Sequence, residues 1–444
     1  MTERKASTIH GRGGRMGERV LNFEQALDVV LEHARAVGTA RQPEQESVAL
    51  LDGVGRVLAE GVTADRDQPP FDRATRDGYA VRAADCGGPL RMVGSVRAGE
   101  TWVGDAMAAG EAIEIMTGAP MPQGADAVAM VEHVLAEDWS VRLRAGRSLR
   151  AGENVVPQGA EARRDASVLH AGTVVGAAEI AVAASCGCAT LAVFEKPRVA
   201  IVATGDELVE FDARPLAAQI RNSNSYALTA MVAIEGGHAA RLAIARDTRE
   251  QVRERIAEGR EYDLLVLSGG VSMGKYDLVE EVLAELGAET FFTGALIQPG
   301  KPVVFGRLPK THGTVDGSAA VTPARESGSA AGWTYFFGLP GNPVSTQVTF
   351  ALFAAPFVRT LAGRAEVAPR FVEARLAEGV QGSAKVTRFL PAELRGEWDA
   401  VTVCVVGWQG SGDIAANARG NCYAMLPAGV EDFRAGETVR VLLR

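Results

Sequence analysis

The residues of this chain whose types could do chemistry gather in four short stretches, each set against an apolar run. Ser268–Gly274 reads SGGVSMG after LLVL, Gly338–Ser345 reads GLPGNPVS after WTYFF, Thr204–Leu208 reads TGDEL after RVAIVA, and Pro299–Pro302 reads PGKP before VVFG. The strand-like runs break into glycines, hydroxyl or amide groups and the start of a helix. Joints of that kind hold an anion against backbone N–H groups. Gly269 and Gly270 permit positive φ and close backbone approach, Ser268 and Ser272 offer hydroxyl donors, and Gly274 ends the loop. Asp206 and Glu207 put two carboxylates beside it, where they would repel an anion unless a hard cation bridges them. That combination implies Mg²⁺ on a phosphate or related oxyanion. Asp277 is either a further ligand or a helix-start carboxylate. Lys301, between two prolines, is a point-charge partner for an oxyanion. Gly341, Asn342 and Ser345 complete the set, with Pro343 suited to a first helical turn.

Such loops need a frame, and the pattern from Lys196 onward supplies one. RVAIVAT, ARLAIAR and DLLVLS alternate with the helical stretches SNSYALTAMVAIEGG, TREQVRERIAEG and DLVEEVLAELG. Continuous apolar strands alternating with amphipathic helices imply a parallel sheet covered on both faces, with ligands beyond the carboxyl ends of its strands. This α/β domain is expected over 191–363, with VVFGRL and WTYFFGL as a hairpin interrupted by a flexible, turn-rich insertion at 309–332. Short β-like runs at 61–147 read as a small all-β module. The flanking 21–60 and 148–190 form a helical or linker domain into which that module is inserted. In it, NFEQALDVVLEHA puts Phe23, Ala26, Leu27, Val30, Leu31 and Ala34 on one helical stripe capped by Asn22, and SVALLDGVGRVLAE suggests a second short helix. Residues 364–444 hold β-like runs that suggest a small barrel or sandwich, and 1–20 read as a disordered tail. The fold class is therefore multidomain α/β plus β.

Bulk properties exclude several functions. The chain has 444 residues and a formal charge of −9, with both signs interspersed, so it carries no nucleic-acid footprint. No apolar run approaches the roughly 20 residues that cross a bilayer, and no signal-type core follows the start, so the expected setting is cytoplasmic and away from membranes. The five cysteines, Cys86, Cys186, Cys188, Cys404 and Cys422, are odd in number and scattered, which reads as structural thiols and not a disulfide framework.

Taken in order, TGDEL, SGGVSMG, PGKP and GLPGNPVS resemble the molybdopterin molybdenumtransferase family, represented by bacterial MoeA and the C-terminal part of gephyrin. RDGYAV (Arg76–Val81), IMTGAPMPQGADAV (Ile115–Val128) and GSGDIAANARGNCYAMLP near the C-terminus extend the resemblance over nearly the whole chain from about residue 20. It implies an enzyme that binds adenylated molybdopterin, releases AMP with Mg²⁺ and places molybdate on the dithiolene sulfurs. It also implies a molybdopterin-binding type of α/β domain and a homodimer, with a separate molybdopterin adenylyltransferase as a candidate partner. By the same resemblance, Glu207 and Asp277 serve the nucleotide–metal region, and Asp247, in ARDT just after a strand, is a candidate metal ligand for the same acidic cluster. Lys301, Arg388 and Ser411 face the oxyanion, and Asp77 and Thr117 come from the β module. Thr204, Gly205, Pro299 and Gly300 complete the substrate-binding loops. Three departures from the family pattern stand out: Gln298 where many members carry Lys, Lys275 where an acid is common, and QGAE with Glu161 in place of an RGED-type element.

Overall fold

The structure is a computed structural model that describes residues 19–40, 43–270, 278–310, 332–397 and 400–444. The described chain divides into two compact units. One takes the residues up to Glu46, Gly55–Ala59 and Ala192–Arg444; the other takes Ser47–Val54 and Glu60–Leu191.

The first unit is built on a six-stranded sheet. Its order is His238–Arg241, Arg198–Ala203, Leu264–Ser268, Trp333–Leu339, Val304–Pro309, Glu289–Phe292. The first four strands run parallel, Val304–Pro309 pairs antiparallel with Trp333–Leu339, and Glu289–Phe292 pairs antiparallel with Val304–Pro309. The expected parallel sheet is thus extended by the anticipated pairing of VVFGRL with WTYFFGL. Helices cover both faces, and Leu264–Leu267 lie wholly buried, which is why these strands read as unbroken apolar runs and do not alternate. The helix Phe23–Ala40 belongs to the core on one face, through Phe23, Ala26, Val30, Ala34 and Val37. Its start is a reciprocal capping box: Gln25 N–H donates to Asn22 Oδ1 (2.8 Å) and Asn22 N–H to Gln25 Oε1 (3.2 Å). Val279, Val282 and Leu283 of the helix Leu278–Glu285 join the core on the other face.

Beyond residue 370 the same unit closes a five-stranded barrel. Phe371–Leu376, Thr387–Glu397, Ala400–Val405, Cys422–Leu426 and Thr438–Leu443 form the ring, and the pairing of Thr387–Glu397 with Cys422–Leu426 shuts it. Closure leaves that ring without a free edge. Cys422 is buried inside, its Sγ 3.2 Å from the Ala392 carbonyl, and burial pushes the thiol up to about 11. It is a packing residue and not a nucleophile.

The second unit carries another six-stranded sheet, ordered Ala127–Met130, Gly78–Val81, Glu111–Ile115, Leu90–Val96, Ser140–Leu143, Val134–Glu137. The helix expected in SVALLDGVGRVLAE is absent. Gln45–Ala49 is a strand, and a single 3₁₀ turn, Leu50–Gly53, follows. Gly53 and Gly55 explain the difference. Gly55 adopts φ +77°, and each glycine weakens a helix interior by roughly 1 kcal/mol. Among the described residues no helix is long and apolar enough to cross a membrane.

Candidate functional site

Three parallel neighbours of the first sheet end level, since Ala203 pairs with Ser268 and Ser268 with Leu339. Counted along the chain the strand order is 2-1-3-6-5-4. The order reverses between the first and third strands, a switch point of the kind beyond whose carboxyl ends ligands bind in open α/β sheets. The ladder continues past the strands: Thr204 N–H donates to the Ser268 carbonyl (3.0 Å) and Gly269 N–H to the Leu339 carbonyl (3.1 Å). TGDEL, the start of SGGVSMG and the GLPGN turn are thereby set side by side. Gly269 and Gly270 take φ +92° and +64°. A Cβ on Gly270 would stand 2.8 Å from Thr204 Oγ1, and one on Gly269 2.8 Å from the Thr204 carbonyl oxygen. Only glycine fits either position. The Thr204 hydroxyl is buried and has no hydrogen-bond partner among the described residues. A buried hydroxyl left unpaired costs about 1–3 kcal/mol, so this corner keeps an unspent polar group against glycine backbone. Ser272, Gly274 and Asp277 lie outside the described residues, as does Lys275.

Two residues that sequence reasoning did not select hold these loops. Asn224, first in the helix Asn224–Ile234, donates from Nδ2 to Ser268 Oγ (3.0 Å) and to the Gly341 carbonyl (2.7 Å). Arg246 donates from Nη1 to the carbonyls of Gly205, Asp206 and Leu208 at 3.4, 3.0 and 2.9 Å. Their local sequences, RNSNSY and ARDT, carry only the ordinary signals of a helix start and a strand end. Asp247 N–H donates to Asp206 Oδ1 (3.1 Å), so Asp206 and Asp247 share a corner in which the side chains of Asp206, Glu207 and Asp247 are exposed. Among the described residues no three His, Cys, Asp or Glu side chains come together as a ready metal cage.

The PGKP segment joins the same cluster. Pro299 and Gly300 are buried and Lys301 is exposed. Gly300 has φ +107°, and a Cβ there would lie 2.4 Å from Thr349 Cγ2 and 3.6 Å from the Ser345 carbonyl oxygen. The loop therefore packs on the helix Pro343–Thr349, which Asn342 precedes and Pro343 opens. At that helix's first turn Val344 N–H donates to the Ser411 carbonyl (2.9 Å). Ser345, read from the sequence as an anion donor, is 4% exposed and sits within this packing. Gln298 lies directly opposite Arg388 in a parallel pairing of Ile297–Gln298 with Thr387–Arg388. Arg388 donates to the Gln381 carbonyl, while its buried Nε has no partner among the described residues. Burial lowers its pKa.

In the second unit, register explains a pair forty residues apart in sequence. Gly78 pairs with Ile115 in antiparallel strands, which brings the residue before one strand beside those after the other. Asp77 Oδ1 accepts from Thr117 N–H (2.7 Å) and Thr117 Oγ1 (2.8 Å). The backbone donor first, then the hydroxyl, lowers the pKa of this exposed carboxyl, so it is an anion at neutral pH. Glu161 forms an ion pair with Arg73 (2.8 Å).

Comparisons with known proteins agree with this layout. Residues 21–187 match the MoeA N-terminal region (domain I and II), 200–360 a probable molybdopterin binding domain, and 373–443 the MoeA C-terminal region (domain IV). The molybdopterin molybdenumtransferase of Staphylococcus aureus (strain COL) is 32% identical over 408 residues, covering 89% of this chain and 90% of that protein. The chain belongs to the molybdopterin molybdenumtransferase family. Crystal structures agree. The molybdopterin biosynthesis MoeA protein from Pyrococcus horikosii is 30% identical with a TM-score of 0.68, covering 96% of this chain and 99% of its own. A second structure, of the MoeA protein from Pyrococcus horikoshii OT3, is 26% identical with a TM-score of 0.72, covering 96% and 100%. The molybdenumtransferase family member described here is thus a transferase of molybdenum cofactor biosynthesis.

Proposed function

We propose that this protein binds adenylated molybdopterin, opens its phosphoanhydride with release of AMP and Mg²⁺ assistance, and places molybdate on the dithiolene sulfurs. The observation that carries the reading is the level ending of three adjacent strands at the switch point, where glycine backbone, the Thr204 hydroxyl, unpaired among the described residues, and exposed carboxylates meet. Glycine loops of this shape accept phosphate oxygens. Asp206, Glu207 and Asp247 do not form a cage by themselves, which suits Mg²⁺: it is usually held by one or two carboxylates and completed by substrate phosphates and water. Within this proposal Glu207 and Asp247, with Asp277, would hold the ion, which would supply positive charge against the anhydride oxygens. Lys301, Arg388 and Ser411 receive the oxyanion. Thr204, Gly205, Ser268, Gly269, Gly270, Gly341 and Asn342 bind the phosphate and pterin portions.

The proposal extends to assembly and setting. Asp77 and Thr117 act on the site of a partner copy in a C₂ homodimer, a separate adenylyltransferase supplies the substrate, and the enzyme works in the cytoplasm, where nucleotide-activated intermediates are made. The test is incubation with adenylated molybdopterin, Mg²⁺ and molybdate, following AMP and active cofactor. Molybdate-stimulated AMP release is the expected result, and its absence overturns the reading.

A further inference from the structure

We infer that Arg246 is a positioning residue: its guanidinium fixes the peptide planes of the TGDEL loop and, through them, the direction in which the loop presents its carboxylates. One nitrogen, Nη1, lies 3.4, 3.0 and 2.9 Å from the carbonyl oxygens of Gly205, Asp206 and Leu208. Three carbonyls from four consecutive residues converge on it, so the loop is wound around the arginine. A trans peptide sets its N–H opposite its C=O. The N–H groups of Asp206, Glu207 and Val209 therefore point away from the guanidinium. Arg246 thus orders carbonyls and amides together, in a loop whose second residue, Gly205, has φ +147° and little conformational preference of its own.

Two neighbouring bonds show that the loop is held from outside. Gly205 N–H donates to the Ala245 carbonyl (3.1 Å), and Asp247 N–H donates to Asp206 Oδ1 (3.1 Å). Ala245, Arg246 and Asp247 are consecutive, so one short segment grips the loop by backbone, guanidinium and amide in turn. Arg246 directs its charge to carbonyl oxygens and leaves the side chains of Asp206 and Glu207 exposed. A positive charge spent on carbonyls orders the loop without taking up the groups that a cation would need. The side chain reaches the reacting atoms only through the loop.

This inference rests on the proposed Mg²⁺ role for its activity arm and on geometry alone for its second arm. Arg246→Gln is expected to raise the Mg²⁺ concentration for half-maximal AMP release about tenfold, the scale of a lost charged hydrogen bond. The molybdate concentration for half-maximal activity should stay near that of the wild type. Arg246→Lys keeps a charge and three donors and should recover most of the loss. In the absence of metal and substrate, amide hydrogen exchange of Gly205 and Leu208, which donate to the Ala245 and Gly205 carbonyls, should accelerate in Arg246→Gln, while Leu265–Leu267 in the adjacent strand stay protected. An unchanged Mg²⁺ requirement together with unchanged loop exchange overturns the inference. So does a rise in the Mg²⁺ and molybdate requirements alike, which marks general destabilisation. If the wild type releases AMP without Mg²⁺, the metal reading falls and loop exchange alone decides: faster exchange upholds the positioning role, and unchanged exchange refutes it.

Discussion

The two units bring polar groups together by different means. In the first, glycine turns at strand ends create the candidate site: Gly269, Gly270 and Gly300 all take positive φ, and a Cβ at any of them would meet an atom closer than 3 Å. In the second, antiparallel register sets the exposed side chain of Asp77 against Thr117, and the close approach lies in the neighbouring Gly78, where a Cβ would meet the Ala129 carbonyl oxygen at 2.1 Å. A site built from backbone has little tolerance for added volume. A site built from one exposed side-chain pair can lose its chemistry while keeping its fold.

The sharpest way to break this comparison is to separate the units genetically. Asp77→Ala and Lys301→Ala should each abolish most AMP release. Mixed under conditions that exchange subunits, they should regain activity if each site draws on both copies. Random exchange makes half the dimers mixed, and each mixed dimer holds one intact site, so about a quarter of wild-type activity is expected from the symmetry. No recovery after exchange has been confirmed by mass removes the shared-site proposal and leaves each unit to act within its own chain.

Next in size is the stability contrast. Gly300→Ala forces a side chain into left-handed φ and against Thr349 Cγ2, and should cost about 2–4 kcal/mol from backbone strain plus overpacking. Thr349 is fully buried and donates to the Ser345 carbonyl (2.8 Å), so it has little room to move. Adding Thr349→Ser keeps a hydroxyl for that bond, deletes the clashing methyl and should return the overpacking part. Asp77→Asn should instead leave the urea midpoint nearly unmoved while AMP release falls about tenfold or more, as for a lost charge-assisted interaction. Equal losses of stability in both variants would erase the distinction between the units.

What could be read from sequence follows the same division. Glycines, prolines and apolar runs announced the strand ends, and the Asn22–Gln25 cap and the stripe from Phe23 to Ala34 were legible because their periodicity is local. Of the antiparallel edge of the first sheet, the hairpin of VVFGRL with WTYFFGL was visible and the outer strand Glu289–Phe292 was not. Asn224 and Arg246 were not selected as site residues because their task is to bond carbonyls and a hydroxyl more than thirty residues away, and nothing in their immediate surroundings marks that. The false helix at 47–60 arose from apolar spacing that outweighed Gly53 and Gly55. The burial of Ser345 was not legible, because a serine two residues after Asn-Pro carries no sign of how deeply its helix packs.

A smaller effect concerns Gln298. Its position directly opposite Arg388 means that Gln298→Lys would set a second positive charge beside a guanidinium already depressed by burial. Gln298 is exposed, so the added attraction for a doubly charged oxyanion should be about 1 kcal/mol. The molybdate concentration for half-maximal AMP release should fall several-fold at low salt and less at high salt. An unchanged value places Gln298 outside the oxyanion shell and weakens the assignment of Arg388 with it.

The smallest effect tests whether acid loosens one unit before the other. His33, on the helix Phe23–Ala40, stacks on Phe291 with ring centroids 3.8 Å apart. Burial, and then the Arg307 guanidinium, lowers its pKa below the usual 6.5, while Glu32 and Glu289 pull weakly the other way. The folded state therefore favours neutral imidazole. Above pH 6.5 both folded and unfolded His33 are neutral and the residue adds no pH dependence. As pH falls through 6.5 the unfolded chain takes up the proton first, stability drops, and the loss levels off below the folded pKa. The effect should be a fraction of that from Gly300→Ala, because His33 is only half-buried and its charge is partly screened. Hydrogen exchange at pH 5.5 and 7.5, corrected for intrinsic rates, should show the acid-side loss at Phe292 and Phe305 in the first sheet and not at Val81 and Ile113 in the second. His33→Gln should flatten the difference. Equal acid sensitivity in both sheets, or its persistence in His33→Gln, assigns the loss to other groups.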